Sequence, residues 1–340
     1  MSDGALGAAI NACGAVAYEH AKAYITNPHT RVVGVTSRTR SSAERLVEEL
    51  GLDCRIYADY DELLGDDEVD IVSVTTPNFL HAPDAIAAAQ AGKHIALEKP
   101  AGINEEELDE LAAAVTEAGV KSVMSFVLRW NQQVLNVKNL VERGALGELF
   151  YCETDYWHGV GSIIRADRWI AKKDLAGSAM LTGGCHAVDI ARSFMGEVAR
   201  VTAHSHNNPA LGFEYDTATV CTFEYESGAV GKTSSILEIV SPYRFNVTVM
   251  GSEGTALGNR VYSRALLPEQ QDYFEIPCIP PDSGDVEHHP FQQEIDHLVE
   301  CILSGTDCVP NIADGIRTSR VCLAADRSAA NRGRPEEPRG

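Results

Sequence analysis

The first 128 residues alternate short apolar runs with amphipathic helical stretches, and this alternation constrains the fold more than any other feature of the chain. Candidate strands run over Leu6–Ile10, Arg31–Thr36, Asp70–Thr75, His94–Leu97 and Lys121–Phe126. Helical patterns fill the gaps: Ala15–Ile25, Ala43–Leu50 capped by Ser41-Ser42, His81–Ala91, and a stretch opened by Asn104. In the last of these, Glu105, Glu106 and Glu107 sit at the positive end of the helix dipole. Strands this short and apolar are buried on both faces, so helices must cover both faces of a parallel sheet. Short links between strand and helix then give a doubly wound α/β architecture.

After Arg129 the pattern changes. Val134–Arg143 reads as a connecting helix broken by Gly144 and Gly147. Long strands follow at Leu149–Trp157, Val198–His206, Tyr215–Tyr225, Ala229–Leu237 and Phe245–Met250, with Gly228, Gly251 and Gly254 at the turns. One helix, Ala179–Phe194, interrupts them, and two more, Phe291–Leu303 and Asp314–Ala330, close the pattern. The expected division is therefore an α/β domain over 1–128, an α+β domain with a large, mostly antiparallel open sheet over 129–331, and a loose tail over 332–340. Apolar residues that alternate outward from the open sheet, in Ala229–Leu237 for example, need cover.

Composition removes several classes of function. A formal charge of -21 repels nucleic acid and anionic lipid. No apolar run reaches membrane-spanning length, and the N-terminus lacks the pattern of a signal peptide. The nine cysteines are an odd number without a C-x-x-C pair, which argues against a disulfide framework or a zinc ribbon. His288-His289 and Cys185-His186 also lack the spacing of a structural metal site. The expectation is a cytoplasmic protein with reduced thiols, no metal, no nucleic-acid partner and no membrane partner.

Four strand ends carry chemistry. Glu98-Lys99-Pro100 follows the apolar run Ile95-Ala96-Leu97, at the rim where an open α/β sheet binds its ligand. A lysine there can exchange a proton with a substrate hydroxyl; the alternative is a solvated loop pair. Ala12-Cys13-Gly14-Ala15-Val16-Ala17 stands in the place of the dinucleotide fingerprint G-x-G-x-x-G/A. Gly14 would admit a pyrophosphate beside the backbone of Ala15 and Val16, and Ala17 suits helix packing. Ala12 replaces the glycine of the tight turn, and Asn11 is polar where an apolar residue is usual. The motif makes residues 1–128 a Rossmann domain; a plain glycine turn is the alternative.

The second strand ends Thr36-Ser37-Arg38, with no acid for a ribose 2′-hydroxyl. Ser37, Arg38 and Arg40 suit a 2′-phosphate, and equally a capping serine followed by solvated arginines. The cofactor is thus NADP or NAD, with Arg38 favouring NADP. Thr75-Thr76-Pro77-Asn78, continuing to His81, would let a cofactor lie across the strand ends.

With these motifs in place, the chain resembles the Gfo/Idh/MocA family of nicotinamide-dependent sugar and cyclitol dehydrogenases. The resemblance adds Arg129-Trp130-Asn131, Gly144-Ala145-Leu146-Gly147, Gly183-Gly184-Cys185-His186-Ala187-Val188-Asp189 and His289-Pro290-Phe291. It implies that Lys99 is the catalytic acid/base, with His186 as its partner. Glu98, Arg129, Arg168 and Trp169 join the cofactor set. Trp157, Arg165, Thr182, His186 and Asp189 form the substrate set, with core packing the alternative for the tryptophans. Thr182 stands where the family often has an aspartate. Homodimers or homotetramers through the open sheet are implied too. Two other functions fit the same fold: cofactor-assisted cleavage of a glycosidic bond, and a dinucleotide- or sugar-sensing regulatory protein.

Overall fold

The structure is a computed structural model and describes residues 4–159, 168–281 and 285–339. The first unit is built on a six-stranded parallel sheet. In chain order its elements are β1 (Leu6–Asn11), α1 (Ala15–Thr26), β2 (Thr30–Thr36), α2 (Arg40–Leu50), β3 (Arg55–Ile56) and α3 (Tyr60–Leu64). They continue with β4 (Ile71–Val74), α4 (Asn78–Gln90), β5 (His94–Leu97), α5 (Glu105–Ala118) and β6 (Ser122–Met124). The strand order is β3-β2-β1-β4-β5-β6, so the winding reverses between β1 and β4. Ile10, Ile71, Val72, Ile95 and Leu97 are fully buried. Each such side chain contributes about 1.5–3 kcal/mol by leaving water. Helix α5 starts as expected, with Asn104 accepting from the Glu107 amide, and ends at Gly119 in the left-handed conformation. β3 and α3 are too short to show a period in the sequence.

The second unit opens with α6 (Gln132–Glu142) and β7 (Leu149–Trp157). After the short helix α7 (Lys173–Ala176), Met180–Gly184 forms a π-helical turn that runs into α8 (Cys185–Met195). The strands β8 (Val198–His206), β9 (Ala218–Tyr225), β10 (Val230–Ile236), β11 (Arg244–Gly251), β12 (Gly254–Leu257), β13 (Arg260–Ser263) and β14 (Phe274–Glu275) complete it. Among the described residues, eight strands lie in the order β14-β13-β12-β11-β7-β10-β9-β8, and β7 and β10 are the one parallel pair.

One face of this sheet meets α8: Thr154 Oγ1 donates to the Ala187 carbonyl, and Ser235 Oγ to that of Ala179. The opposite face differs from the apolar surface expected of Ala229–Leu237. Lys232 binds Glu153 at 2.6 Å and Asp155 at 3.2 Å, and Ser234 donates to Asp155. Period-2 alternation along β10 turns Lys232 and Ser234 outward, with Val230 half exposed at the strand end.

The chain closes with α9 (Phe291–Ser304) and α10 (Ile312–Ala330). The compact units are Met1–Val127 with His289–Ile316, and Leu128–His288 with Arg317–Gly340. The division therefore differs from one at residue 128 alone. Helix α9 packs on α1, and the following loop ties to β6 where the Met124 amide donates to the Pro310 carbonyl. The segment expected as a loose tail is also pinned: Val201 and Glu336 exchange both backbone hydrogen bonds, at 2.8 and 2.9 Å. Arg327 pairs with the Glu336 carboxylate as well.

Candidate active site

The carboxyl ends of β2, β1, β4 and β5 lie side by side. The Ala12 amide donates to the Thr36 carbonyl, that of Thr75 to Asn11, and that of Glu98 to Val74. Ala12 has φ +78, the left-handed conformation that a glycine adopts freely. The turn thus keeps the shape of the fingerprint although the residue departs from it. Thr75 Oγ1 holds it from the other side, donating to the Asn11 and Ala12 carbonyls. Gly14 has an ordinary negative φ, and a Cβ built there meets no protein atom within 4 Å. Its smallness therefore serves no packing inside the protein. No side chain caps α1, and no acid stands in its first turn.

Asn11 and Thr76 both donate to Oδ2 of Asp84, at 3.0 and 2.9 Å, which accounts for the polar residue at the end of β1. Burial raises the Asp84 pKa to about 6, against these two hydrogen bonds. Arg38 is exposed, whereas Arg40 is engaged by Glu44 one helical turn on. Ser37 is partly buried, and Pro77 stands at the N-cap position of α4. Asn78 is the first residue of that helix and is buried.

His81, expected near the cofactor, is held by the protein's own backbone. Its ring lies between two backbone carbonyls, Nδ1 2.7 Å from Pro100 O and Nε2 2.7 Å from Thr76 O. The side chain is buried and joins the loops after β4 and β5. Burial pulls its pKa down, against the two carbonyls and the charge of Glu98.

Beneath Lys99 lies a buried polar network. Glu98 Oε1 is 3.3 Å from His20 Nε2, and His20 Nδ1 is 2.9 Å from Ser73 Oγ, which also bonds the Tyr24 hydroxyl. The second oxygen of Glu98 accepts from the Lys99 amide. Burial pushes the Glu98 carboxyl up, but His20, Lys99 and His81 outweigh it and hold the pKa below the ordinary value. Glu98 therefore stands as a carboxylate that fixes the backbone of Lys99. Lys99 itself is partly exposed at the rim.

In the second unit, His186 is the second residue of α8, in the turn that follows the π-helical segment, and stacks on Tyr156, with ring centroids 6.1 Å apart and 19° between planes. A Cβ on Gly183 would fall 2.4 Å from the Tyr156 ring, so glycine is what lets this helix approach β7. Tyr156 is the aromatic neighbour of His186 that sequence reasoning missed. Trp157, expected in the substrate set or in core packing, points to the other face, where its Nε1 donates to Ser234. Adjacent residues of a strand face opposite ways, so one register position separates the two roles. The alternation of Thr154 and Tyr156 was the available signal.

Asp189, expected in the substrate set, is engaged within the protein. It is fully buried and held by Arg129, Nε to Oδ2 and Nη2 to Oδ1, both at 2.7 Å. Its carboxylate is thus occupied by the arginine expected at the cofactor. Thr182 is buried in the π-helical turn and donates to the Ala176 carbonyl at 3.4 Å. The i→i+5 turn rotates it relative to His186 from the ordinary helical alignment. Trp169 packs against the cluster of Ala171, Ala176, Phe213 and Tyr215, and Arg168 is exposed. Arg165 lies outside the described residues.

Comparison with known proteins fits this geometry. Residues 7–126 match the model of the GFO_IDH_MocA oxidoreductase family with an NAD-binding Rossmann fold, and residues 134–257 match the GFO/IDH/MocA C-terminal domain. The chain belongs to the GFO/IDH/MocA family. It is 28% identical to scyllo-inositol 2-dehydrogenase (NAD(+)) of Bacillus subtilis, over 95% of this chain and 94% of that one. It is 31% identical to D-xylose 1-dehydrogenase (NADP(+)) 2 of Haloferax volcanii, over 59% and 60% of the two chains. A levoglucosan dehydrogenase solved with NADH shares the fold, with a TM-score of 0.88 at 22% identity over 98% and 99% of the chains.

This GFO/IDH/MocA protein is an NAD(P)-dependent oxidoreductase. The residues at its strand ends fit a dinucleotide. The open space at Gly14, the left-handed turn at Ala12 and the uncapped start of α1 leave backbone amides for a pyrophosphate. Among the described residues, no helix is long and apolar enough to cross a membrane.

Proposed function

We propose that the enzyme transfers hydride between a nicotinamide and a hydroxyl-bearing carbon of a sugar, sugar derivative or cyclitol. The observation that carries this reading is Lys99 at the carboxyl end of β5, its amide held by buried Glu98. The bound nicotinamide supplies the hydride acceptor or donor. Lys99 takes the hydroxyl proton in oxidation and returns it in reduction, a contribution of about 10²- to 10⁴-fold in rate. His186 is the second proton-handling group, oriented by its stack on Tyr156. Names of relatives at 28% and 31% identity support the substrate class.

The backbone of residues 14–16 would bind the pyrophosphate, with Thr75 and Thr76 lining the strand ends. Arg38, exposed after a strand that ends without an acid, would meet a 2′-phosphate, and NADP is the preferred cofactor. Assembly as a homodimer or homotetramer uses the outer face of the eight-stranded sheet, where Val220 and Val230 are exposed.

A panel of sugars and cyclitols, each with NAD and NADP and read by nicotinamide absorbance, tests the reading. Lys99→Met is expected to bind cofactor normally while kcat falls at least about 10²-fold. Near-normal kcat in that variant overturns the role of Lys99. Arg38→Ala is expected to weaken NADP more than NAD, and equal losses would reduce Arg38 to a surface residue.

A further inference from the structure

The first unit holds a second convergence of reactive side chains on α9. His297 and Cys301 lie four residues apart on the helix and share one side. The chain leaves α9 at Gly305, φ +74, and the next loop brings Cys308 to the same place. One ring nitrogen of His297 and the two thiol sulfurs all lie within 4.8 Å of one another. Cys301 Sγ is 3.8 Å from Nε2 of His297 and 4.0 Å from Nδ1. Both cysteines are buried, His297 is partly exposed, and Val309 beside them is 60% exposed, which gives an entry path.

We propose that His297, Cys301 and Cys308 bind a thiophilic divalent cation of the Zn²⁺ type. Two sulfurs and an imidazole nitrogen are the donors that such an ion takes. Tetrahedral bonds of about 2.3 Å to sulfur and about 2.0 Å to nitrogen set donors roughly 3.5–3.8 Å apart, so no pair of donors need close by more than roughly 1.3 Å. Nε2 of His297 now accepts the Val309 amide at 3.1 Å, which orients the ring. The cation takes that lone pair, and the thiols release their two protons as they become ligands. A fourth position stays open to water.

The ion would fasten the end of α9 to the loop that continues to Pro310, whose carbonyl accepts from Met124 on β6. Lys121, on the neighbouring segment, is held by Asp307 at 2.7 Å. The role is one of stabilising this loop, and it is independent of the proposed dehydrogenase chemistry.

Isothermal titration of the full chain with Zn²⁺, after chelation and under a phosphine reductant, tests the site. One ion per chain is expected, with a thiolate-to-metal charge-transfer band when Co²⁺ replaces Zn²⁺. His297→Ala and Cys308→Ser should each weaken Zn²⁺ more than about tenfold. Cys278→Ser, a thiol elsewhere, should change nothing. Melting temperature should rise with Zn²⁺ in the wild type and in Cys278→Ser only. His297→Ala, at a partly exposed position, keeps the test valid should Cys308→Ser fail to fold. Absence of stoichiometric uptake, or uptake unchanged in His297→Ala, overturns the proposal. So does a reduced protein that takes no ion and merely crosslinks Cys301 to Cys308 on adding glutathione disulfide.

Discussion

Arg129 grips both carboxylate oxygens of Asp189 at 2.7 Å, and Asp189 has no exposure to solvent. A motif residue three positions from His186, the proposed proton-handling histidine, is thus held by an ion pair within the second unit. Breaking a buried pair from one side leaves an uncompensated charge, at a cost of about 3–5 kcal/mol. Arg129→Met is therefore expected to lower stability by that amount in urea unfolding. The double variant Arg129→Met/Asp189→Leu should recover much of the loss. If Arg129→Met unfolds like the wild type and only raises KM, Asp189 is a substrate ligand after all.

Ala12 holds a left-handed backbone conformation that costs a residue with a Cβ about 1–2 kcal/mol. Ala12→Gly relieves this but adds backbone freedom to the unfolded chain, an opposing effect of about 0.4–1 kcal/mol. The expected net gain is up to about 1.5 kcal/mol in unfolding free energy, with cofactor affinity retained. A loss of stability would mean that the Ala12 methyl group contributes packing at this turn.

Asp84 gives a stability signal that depends on pH. Its ordinary pKa of 3.8 is raised to about 6 in the folded chain, mainly by burial. The folded state holds this proton more tightly than the unfolded chain does. The stabilising contribution is therefore fully present below about pH 4 and is lost as pH rises through about 6. Asp84→Asn removes the titration, and its carbonyl oxygen can still accept from Asn11 and Thr76. The stability of the variant relative to wild type is expected to rise across this window and to level off above it. A constant difference, followed by urea midpoints, would remove Asp84 as the titrating group.

Gly183→Ala places a methyl group 2.4 Å from the Tyr156 ring. The ring stacks on His186, so the clash reaches the proposed site. Overpacking of this kind costs about 1–3 kcal/mol. We expect lower stability together with a fall in kcat and near-normal cofactor affinity, read by thermal melts, kinetics and titration. Wild-type kcat would show that the Tyr156–His186 stack is not needed for turnover.

Local pattern made much of this protein legible. Apolar runs separated by amphipathic helical stretches specify a parallel doubly wound sheet, and the later strands with glycine turns specify an antiparallel one. The place of Lys99 also followed from sequence, because a proline after a buried strand marks its carboxyl end. Periodicity states that two faces of a strand alternate, but not which of them meets a helix. Only the packing of α8 on β7 decided that Tyr156, and not Trp157, stacks on His186. Pairings between residues far apart in the chain were equally hidden. The Arg129–Asp189 pair spans 60 positions, and α9 packs on α1 from the other end of the sequence. Such contacts are set by which surfaces and charges must be buried together, and a single sequence records residue types and spacings but not that burial.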